Sequence, residues 1–179
     1  FAVLLVKPNF KQIDLDISRD VAAAAKADPG IVATNPDISA FKARGGKLIQ
    51  YHGWADPLIP TENSINYYES VAARQGGLAQ TERFYRLFLV PGMGHCAGAY
   101  DVNWLKALEN WVEKGHAPNK VIGKRLPPMS FPPAPPTASS PDLGSRPICA
   151  YPDVAQYTGK GSADDPANFS CVPHERGAR

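Results

Sequence analysis

Two residues of the sequence have the types and positions that acid–base chemistry requires, Asp56 and His95. Asp56 follows an apolar run of β-forming residues at 48–51, and His95 follows a second such run at 84–90. Residues 61–75, between the runs, have a helical pattern, so the order predicts two parallel strands joined by a helix. Chemistry in parallel α/β sheets gathers at the carboxyl ends of the strands. We therefore expect Asp56 and His95 to lie close together at one edge of a sheet.

This order, an acid after one strand and a histidine after the next, is the one in which α/β-hydrolases complete a triad of serine, acid and histidine. The histidine of such a triad accepts the serine proton, and the carboxylate fixes the tautomer of the ring. Asp56 suits the acid role because Gly53 permits a tight turn and Pro57 restricts Asp56 to extended backbone. Taken alone, Asp56 fits a turn-capping residue equally well, and His95 fits an ordinary loop histidine.

The other three histidines are not predicted to act as the general base. His52 lies too near the end of the first strand to occupy the histidine loop, and we expect it to make a supporting hydrogen bond or a core contact. His116 and His174 are expected at the surface. A metal site needs several converging ligands, which the pair Asp164-Asp165 does not supply, so no metal or other cofactor is expected in this chain.

Both loops resemble those of the tannase and feruloyl esterase family. The segment from Gly45 to Pro60, GGKLIQYHGWADPLIP, is similar to the family's acid loop, and the segment from Val90 to Cys96, VPGMGHC, is similar to its histidine loop. The resemblance implies that Asp56 is the triad acid and His95 the general base. It also implies that Cys96 is disulfide-bonded to a cysteine beside the catalytic serine, outside this chain. The expected activity is hydrolysis of aromatic-acid esters such as feruloyl or galloyl esters.

The serine nucleophile that this resemblance requires is missing. It should lie upstream of the acid in a Gly-x-Ser-x-Gly-like turn, but Ser18 and Ser39 lack the flanking glycines. We therefore expect this chain to be the C-terminal portion of a longer enzyme, whose upstream portion supplies the nucleophile, the oxyanion hole and the lid. Calcium is implied for that lid by the resemblance. The isolated chain is predicted to be inactive, and a sequence that opens on Phe1 is expected to be processed or truncated.

The two residues that follow the acid in its loop, Leu58 and Ile59, are candidates for contact with the acyl or aryl part of the substrate. The alternative is that both pack beneath the lid. The net charge of +2 is small and evenly spread, and no apolar run approaches the roughly 20 residues of a membrane span. We therefore expect neither a nucleic-acid nor a membrane partner.

The sequence contains three cysteines, and an odd number in a secreted protein points to a partner outside the chain or a free thiol. Cys149 and Cys171 lie in a loop-rich tail and are predicted to pair with each other, which leaves Cys96 over. The alternative is three reduced cysteines in a cytosolic protein. The sequon at Asn168 predicts glycosylation there and, with the disulfides, a secreted or periplasmic location.

The elements that position these residues predict an α/β fold: the C-terminal part of an α/β-hydrolase sheet with flanking helices, followed by a Pro-rich, disulfide-closed tail. We predict a helix over 61–75 capped by Thr61, and a helix over 102–114 capped by Asp101. The apolar stripe of the second helix should face the sheet, and it comprises Trp104, Leu105, Leu108, Trp111 and Val112. Residues 1–125 are expected to belong to the catalytic domain, and residues 126–179 to an extended tail packed on it.

Two other functions fit the same residues. One is a serine hydrolase similar to acyl-peptide hydrolases, which have comparable loops but no need of Cys96. The other is a non-catalytic binding or assembly segment of a secreted hydrolase-like protein, in which Asp56 and His95 are relics. The upstream sequence would discriminate them, because a Cys-Ser pair in a Gly-rich turn supports the enzyme.

Overall fold

The structure is a computed structural model that describes residue 9, residues 11–28, residue 30 and residues 33–95, 97–127 and 142–174. The chain divides into two compact units, Phe1–Asn35 and Pro36–Arg179. The first unit contains a 3-10 turn at Gln12–Asp14 and helix α1, Ile17–Ala27. Asp16 caps α1, because its side chain accepts a hydrogen bond from the backbone N–H of Arg19.

The second unit contains the predicted pair of parallel strands, β1 (Leu48–Gly53) and β2 (Tyr85–Val90). Their register pairs Gly53 with Val90, so both strands end at the same level. A short helix α2, Ser39–Ala43, precedes β1. The prediction of parallel strands that deliver two loops to one edge is confirmed.

Helix α3, Thr61–Gln75, connects these strands and has the predicted bounds. It ends at Gly76, which adopts the left-handed conformation with φ of 92°. The predicted cap is wrong: Pro60 occupies the cap position, and the Thr61 hydroxyl instead donates a hydrogen bond of 2.7 Å to the carbonyl of Gly53. Thr61 therefore attaches the start of α3 to the end of β1. A further short helix α4, Leu78–Thr81, was not predicted.

Strand β2 is buried on both faces, as is typical of strands in parallel sheets. Successive side chains alternate between two apolar clusters. The cluster on the α3 side is formed by Tyr68, Val71, Phe84, Tyr85, Leu87 and Leu89. The opposite cluster is formed by Phe88, Val90, Met93, Val121, Ile148 and Ala150. The histidine loop therefore starts from β2, the most deeply buried of the strands in the described residues.

A second sheet follows, in the order β3 (Tyr100–Asp101), β4 (Lys120–Arg125) and β5 (Ser145–Cys149), all antiparallel. Helix α5, Trp104–Lys114, lies between β3 and β4 in the chain. Asn103 caps it, not the predicted Asp101, because Asp101 pairs with Lys124 in the sheet. The apolar stripe is only partly buried: Trp111 is 3% exposed, whereas Leu105 is 67% and Val112 62% exposed. The prediction that the whole stripe faces the sheet is therefore wrong for these two residues.

Residues after 126 contain more regular structure than the predicted extended tail. Most of the Pro-rich segment, residues 128–141, lies outside the described residues. Beyond it, β5 pairs with β4, and β6 (Asp153–Tyr157) pairs with β7 (Phe169–Pro173). The predicted disulfide between Cys149 and Cys171 is confirmed, with its Cα atoms 5.8 Å apart, and joins β5 to β7. The backbone N–H of Tyr151 donates to the Leu87 carbonyl, which anchors this region to β2.

Candidate active site

The loops that follow β1 and β2 are joined by backbone hydrogen bonds. The N–H of Trp54 donates to the Val90 carbonyl, and the N–H of Ala55 donates to the Met93 carbonyl, both at 3.0 Å. Gly53 makes this approach feasible, because a Cβ atom there would lie 2.2 Å from the Met93 carbonyl oxygen. The glycine in the acid loop therefore lets the histidine loop pass close to the end of β1.

Asp56 uses its two carboxylate oxygens for different purposes. Oδ1 accepts hydrogen bonds from the backbone N–H groups of Leu58 at 2.9 Å and Ile59 at 3.0 Å. Oδ2 lies 2.9 Å from Nδ1 of His95. The Asp56 side chain is 5% exposed. Both interpretations of this residue are thus present in the structure, because one oxygen closes a turn while the other faces the histidine.

The protonation of this pair follows from the surroundings of Asp56. The hydrogen bond from the Ile59 backbone lowers the pKa of Asp56 well below its ordinary value; burial opposes this shift, and the bonds from His95 and Leu58 reinforce it. The carboxylate is therefore ionised at neutral pH and only accepts hydrogen bonds. Nδ1 of His95 must then be the donor, which leaves a lone pair on Nε2 when the ring is neutral.

His95 is placed to use that lone pair. Its side chain is 43% exposed, in contrast to the buried carboxylate that it contacts. No hydrogen bond to its Nε2 atom is found among the described residues, whereas Nδ1 is bonded to Asp56. A ring held at one nitrogen and open at the other can take a proton from a hydroxyl and return it.

His52 makes the expected supporting hydrogen bonds. Its Nδ1 atom lies 2.7 Å from the Ser64 hydroxyl on α3. Its Nε2 atom lies 3.2 Å from Oδ2 of Asp56 and 3.1 Å from the Ile59 carbonyl. The same carboxylate oxygen is therefore approached by two histidines, His52 from the strand and His95 from the next loop.

Sequence reasoning missed Ser64 and Gln50, which extend this network. The Gln50 side-chain amide donates to the Ser64 hydroxyl at 2.9 Å, and the Tyr85 hydroxyl donates to the Gln50 side-chain oxygen. One signal was available: Gln50 and His52 are two positions apart on a strand and so share a face. Nothing in the sequence marks Ser64, because a serine within a helix is most often a solvent-exposed residue.

The remaining predicted site residues are placed as follows. Leu58 is 68% and Ile59 46% exposed, and their contact with substrate stays a prediction. Cys96 lies outside the described residues. The Asn168 side-chain amide donates to the Ser162 carbonyl at 2.9 Å, and glycosylation there stays a prediction.

Neither a metal cluster nor a membrane-spanning helix is found in the described part of the chain. No three His, Cys, Asp or Glu side chains converge there as metal ligands would. None of its helices combines the length and the apolar character that crossing a bilayer requires.

Comparison with known proteins gives consistent matches. The family model for tannase and feruloyl esterase matches residues 6–172. An uncharacterised esterase of Xanthomonas campestris is 38% identical over 95% of this chain and 34% of its own length. The mono(2-hydroxyethyl) terephthalate hydrolase of Piscinibacter sakaiensis is 40% identical over 78% of this chain and 22% of its own length. The crystal structure of feruloyl esterase B from Aspergillus oryzae superposes with a TM-score of 0.75 at 31% identity, over 95% of this chain and 35% of that one. The chain thus spans about a third or less of each of these relatives.

Proposed function

Because the chain belongs to the tannase and feruloyl esterase family, we propose that it supplies the acid and the base of a carboxylic ester hydrolase. Asp56 is the acid and His95 the general base of a Ser-His-Asp mechanism. The contact of 2.9 Å between His95 Nδ1 and Asp56 Oδ2 carries this proposal. The two residues come from separate loops at the ends of neighbouring parallel strands, the arrangement that an α/β-hydrolase sheet uses for them.

In this mechanism Nε2 of His95 removes the proton from a serine hydroxyl as its oxygen attacks the ester carbonyl. The resulting imidazolium is stabilised by the ionised Asp56, which stays unprotonated throughout. Collapse of the tetrahedral intermediate expels the alcohol, which takes the proton from Nε2. Water then attacks the acyl-enzyme carbonyl while Nε2 of His95 takes a proton from the water. Collapse of this second intermediate returns the proton to the serine oxygen and releases the acid product.

The serine comes from a segment outside this chain. The absence of a Gly-flanked serine before Asp56 supports this assignment, and so does the small share of its relatives that the chain spans. The partner of this chain is then the upstream portion of the same enzyme. Cys96 is proposed to form a disulfide with a cysteine of that portion, and the enzyme is proposed to be secreted or periplasmic.

The substrates proposed are esters of aromatic carboxylic acids. Relatives named feruloyl esterase B and mono(2-hydroxyethyl) terephthalate hydrolase support this class, because both names denote an acyl group built on an aromatic ring. Leu58 and Ile59 are exposed in the acid loop and are proposed to contact that ring or its linker.

Turnover of methyl ferulate and methyl gallate by the complete enzyme tests the proposal. We expect His95→Ala and Asp56→Asn each to lower kcat by about 10⁴-fold, the latter because an amide favours the wrong ring tautomer. His116→Ala is the matched control and should leave kcat unchanged, since His116 is exposed at the end of α5. Near-normal turnover by His95→Ala would overturn the assignment.

A further inference from the structure

The second histidine at the Asp56 carboxylate lies at the end of a chain of polar side chains. The chain runs from Tyr85 on β2 through Gln50 on β1 and Ser64 on α3 to His52, and it ends on Asp56. Its members are largely buried: the Tyr85 residue is 0% and Ser64 8% exposed, and the His52 side chain is 12% exposed. Buried polar groups that satisfy each other in sequence hold their side chains in one arrangement.

The direction of each hydrogen bond follows from the acceptors at the end of this chain. Both neighbours of His52 Nε2, the ionised Asp56 carboxylate and the Ile59 carbonyl, accept hydrogen bonds and donate none. Nε2 must therefore carry a proton. In the neutral ring Nδ1 is then an acceptor, and the Ser64 hydroxyl donates to it. This leaves the oxygen of Ser64 to accept from the Gln50 amide, so every donor has an acceptor.

We propose that His52 is a positioning residue for the candidate acid. Its Nε2 proton is shared between Oδ2 of Asp56 and the Ile59 carbonyl, and its Nδ1 atom accepts from Ser64, so His52 ties that oxygen of the acid to helix α3. The two backbone N–H groups at Oδ1 leave the carboxylate free to tilt about one end, and the contact from His52 removes that freedom. Oδ2 is thereby directed at Nδ1 of His95. This inference rests on the proposed function, because it assigns a role relative to the acid.

A neutral donor serves this purpose better than a cation would. A lysine or arginine beside Oδ2 would neutralise the charge that Asp56 offers to the His95 imidazolium during the reaction. A neutral imidazole orients the oxygen and leaves its charge available. The Ser64, His52 and Asp56 side chains also resemble a triad in composition, but Ser64 is almost fully buried in α3 and its hydroxyl is engaged with Gln50 and His52. Ser64 is therefore assigned to positioning and not to nucleophilic attack.

Two substitutions at position 52 separate positioning from simple packing. The amide nitrogen of a glutamine can occupy the place of Nε2 and donate to Asp56, whereas that of an asparagine reaches only the place of Nδ1. In the complete enzyme we expect H52N to lower kcat for methyl ferulate about 10- to 100-fold with little change in KM, because misplacement of a catalytic group by about 1 Å costs up to about 10²-fold. H52Q should recover most of this loss. His116→Asn is the control.

The outcomes distinguish this inference from the proposed function. Wild-type kcat in H52N, or equal losses in H52N and H52Q, would overturn the positioning role while leaving the acid and base assigned. Normal turnover in His95→Ala would instead overturn the proposed function itself. Thermal unfolding of each variant shows whether it is folded, and Ser64→Ala tests the role independently, since it should lower kcat without altering any group that contacts Asp56.

The tautomer of His52 gives a readout that needs no turnover. These 179 residues contain four histidines, and single substitution of each one assigns its signals in long-range ¹H–¹⁵N correlation spectra of the complete enzyme. We expect His52 to carry its proton on Nε2 and His95 to carry its proton on Nδ1. A proton on Nδ1 of His52 with none on Nε2 would overturn the proposed directions of the hydrogen bonds from Gln50 to Asp56.

Discussion

At the scale of single residues, the two carboxylate oxygens of Asp56 have different hydrogen-bond partners. Oδ1 is held by the backbone of its own loop, and Oδ2 lies between two histidines. Because Oδ1 is held by the loop backbone and Oδ2 is contacted by His52, the carboxylate loses little further freedom when Oδ2 contacts His95. The turn and the candidate acid–base pair therefore depend on the same side chain.

Gly53 provides a direct test of how closely the two loops must approach. We expect Gly53→Ala to destabilise the protein by about 1–3 kcal/mol, because the added methyl group would lie 2.2 Å from the Met93 carbonyl oxygen and the loops would have to separate. Gly94→Ala is the matched control in the same pair of loops, since its nearest contact, the Ala97 carbonyl oxygen, is 3.9 Å away. Urea denaturation measures both, and equal midpoints would contradict the close approach.

At the scale of elements, an ion pair connects the segment before α2 to the end of α3. The Arg74 guanidinium lies 2.8 Å from Asp37 and, with hydrogen bonds from Ser39, lowers the pKa of Asp37 to about 2. Since the pKa is lower in the folded protein, this contribution to stability is present above about pH 4 and is lost as the pH falls towards 2. The link between these elements should therefore weaken in acid.

The urea midpoint of the wild type should fall between pH 7 and pH 2.5, and Asp37→Asn should fall by less over the same interval. Arg74→Gln should reproduce the smaller fall, because it removes the other half of the pair. Both variants need comparison at pH 7, where each should be slightly less stable than the wild type. If the acid-induced loss is the same in all three proteins, this ion pair does not contribute to it.

The strands and helices near the site could be predicted from the sequence, but their ends could not. Thr61 has the features of a helix cap, yet its hydroxyl binds the carbonyl of Gly53 on a neighbouring strand. Asp101 has the same features, yet it pairs within a sheet. A capping signal is local, whereas the partner that a side chain finds is decided by tertiary packing.

The strands after residue 126 were not predicted because their composition argues against them. Pro147 lies within β5 and Pro173 at the end of β7. A proline lacks the N–H that a central strand needs, but β5 is at an edge in the order β3, β4, β5, where the loss is tolerated.

The candidate site was also predictable only in part. Strand order was enough to predict the proximity of Asp56 and His95. The His52–Ser64 contact depends on how α3 packs against β1.

At the scale of the whole molecule, the disulfide joins the second and third sheets. Its Cys149 end is buried, and it closes a loop with a sequence separation of 22 residues. The double variant Cys149→Ala/Cys171→Ala should therefore be less stable by about 3 kcal/mol, the loop-entropy value for this length. Denaturation in urea with Cys96 left in place checks this. An unchanged midpoint would show that the two sheets hold together without the bond.

The 179-residue chain should have no esterase activity by itself. It carries the candidate acid and base, but the proposed nucleophile and oxyanion hole lie outside it, and a base without a nucleophile has no proton to take. Circular dichroism establishes that the sample is folded, and methyl ferulate and methyl gallate are the substrates to assay. Turnover by the purified chain would require a nucleophile among these residues.

The most direct test of the acid–base assignment is covalent labelling of the complete enzyme with a fluorophosphonate, which reacts with a serine that a neighbouring base activates. Peptide mass spectrometry then locates the adduct, and its rate of formation reports on the base. The account predicts an adduct on a serine outside these 179 residues, formed at the same rate in His116→Ala and at least about 10³-fold more slowly in His95→Ala. An adduct on Ser64 or any other serine of this chain, or a rate that His95→Ala leaves unchanged, would contradict it.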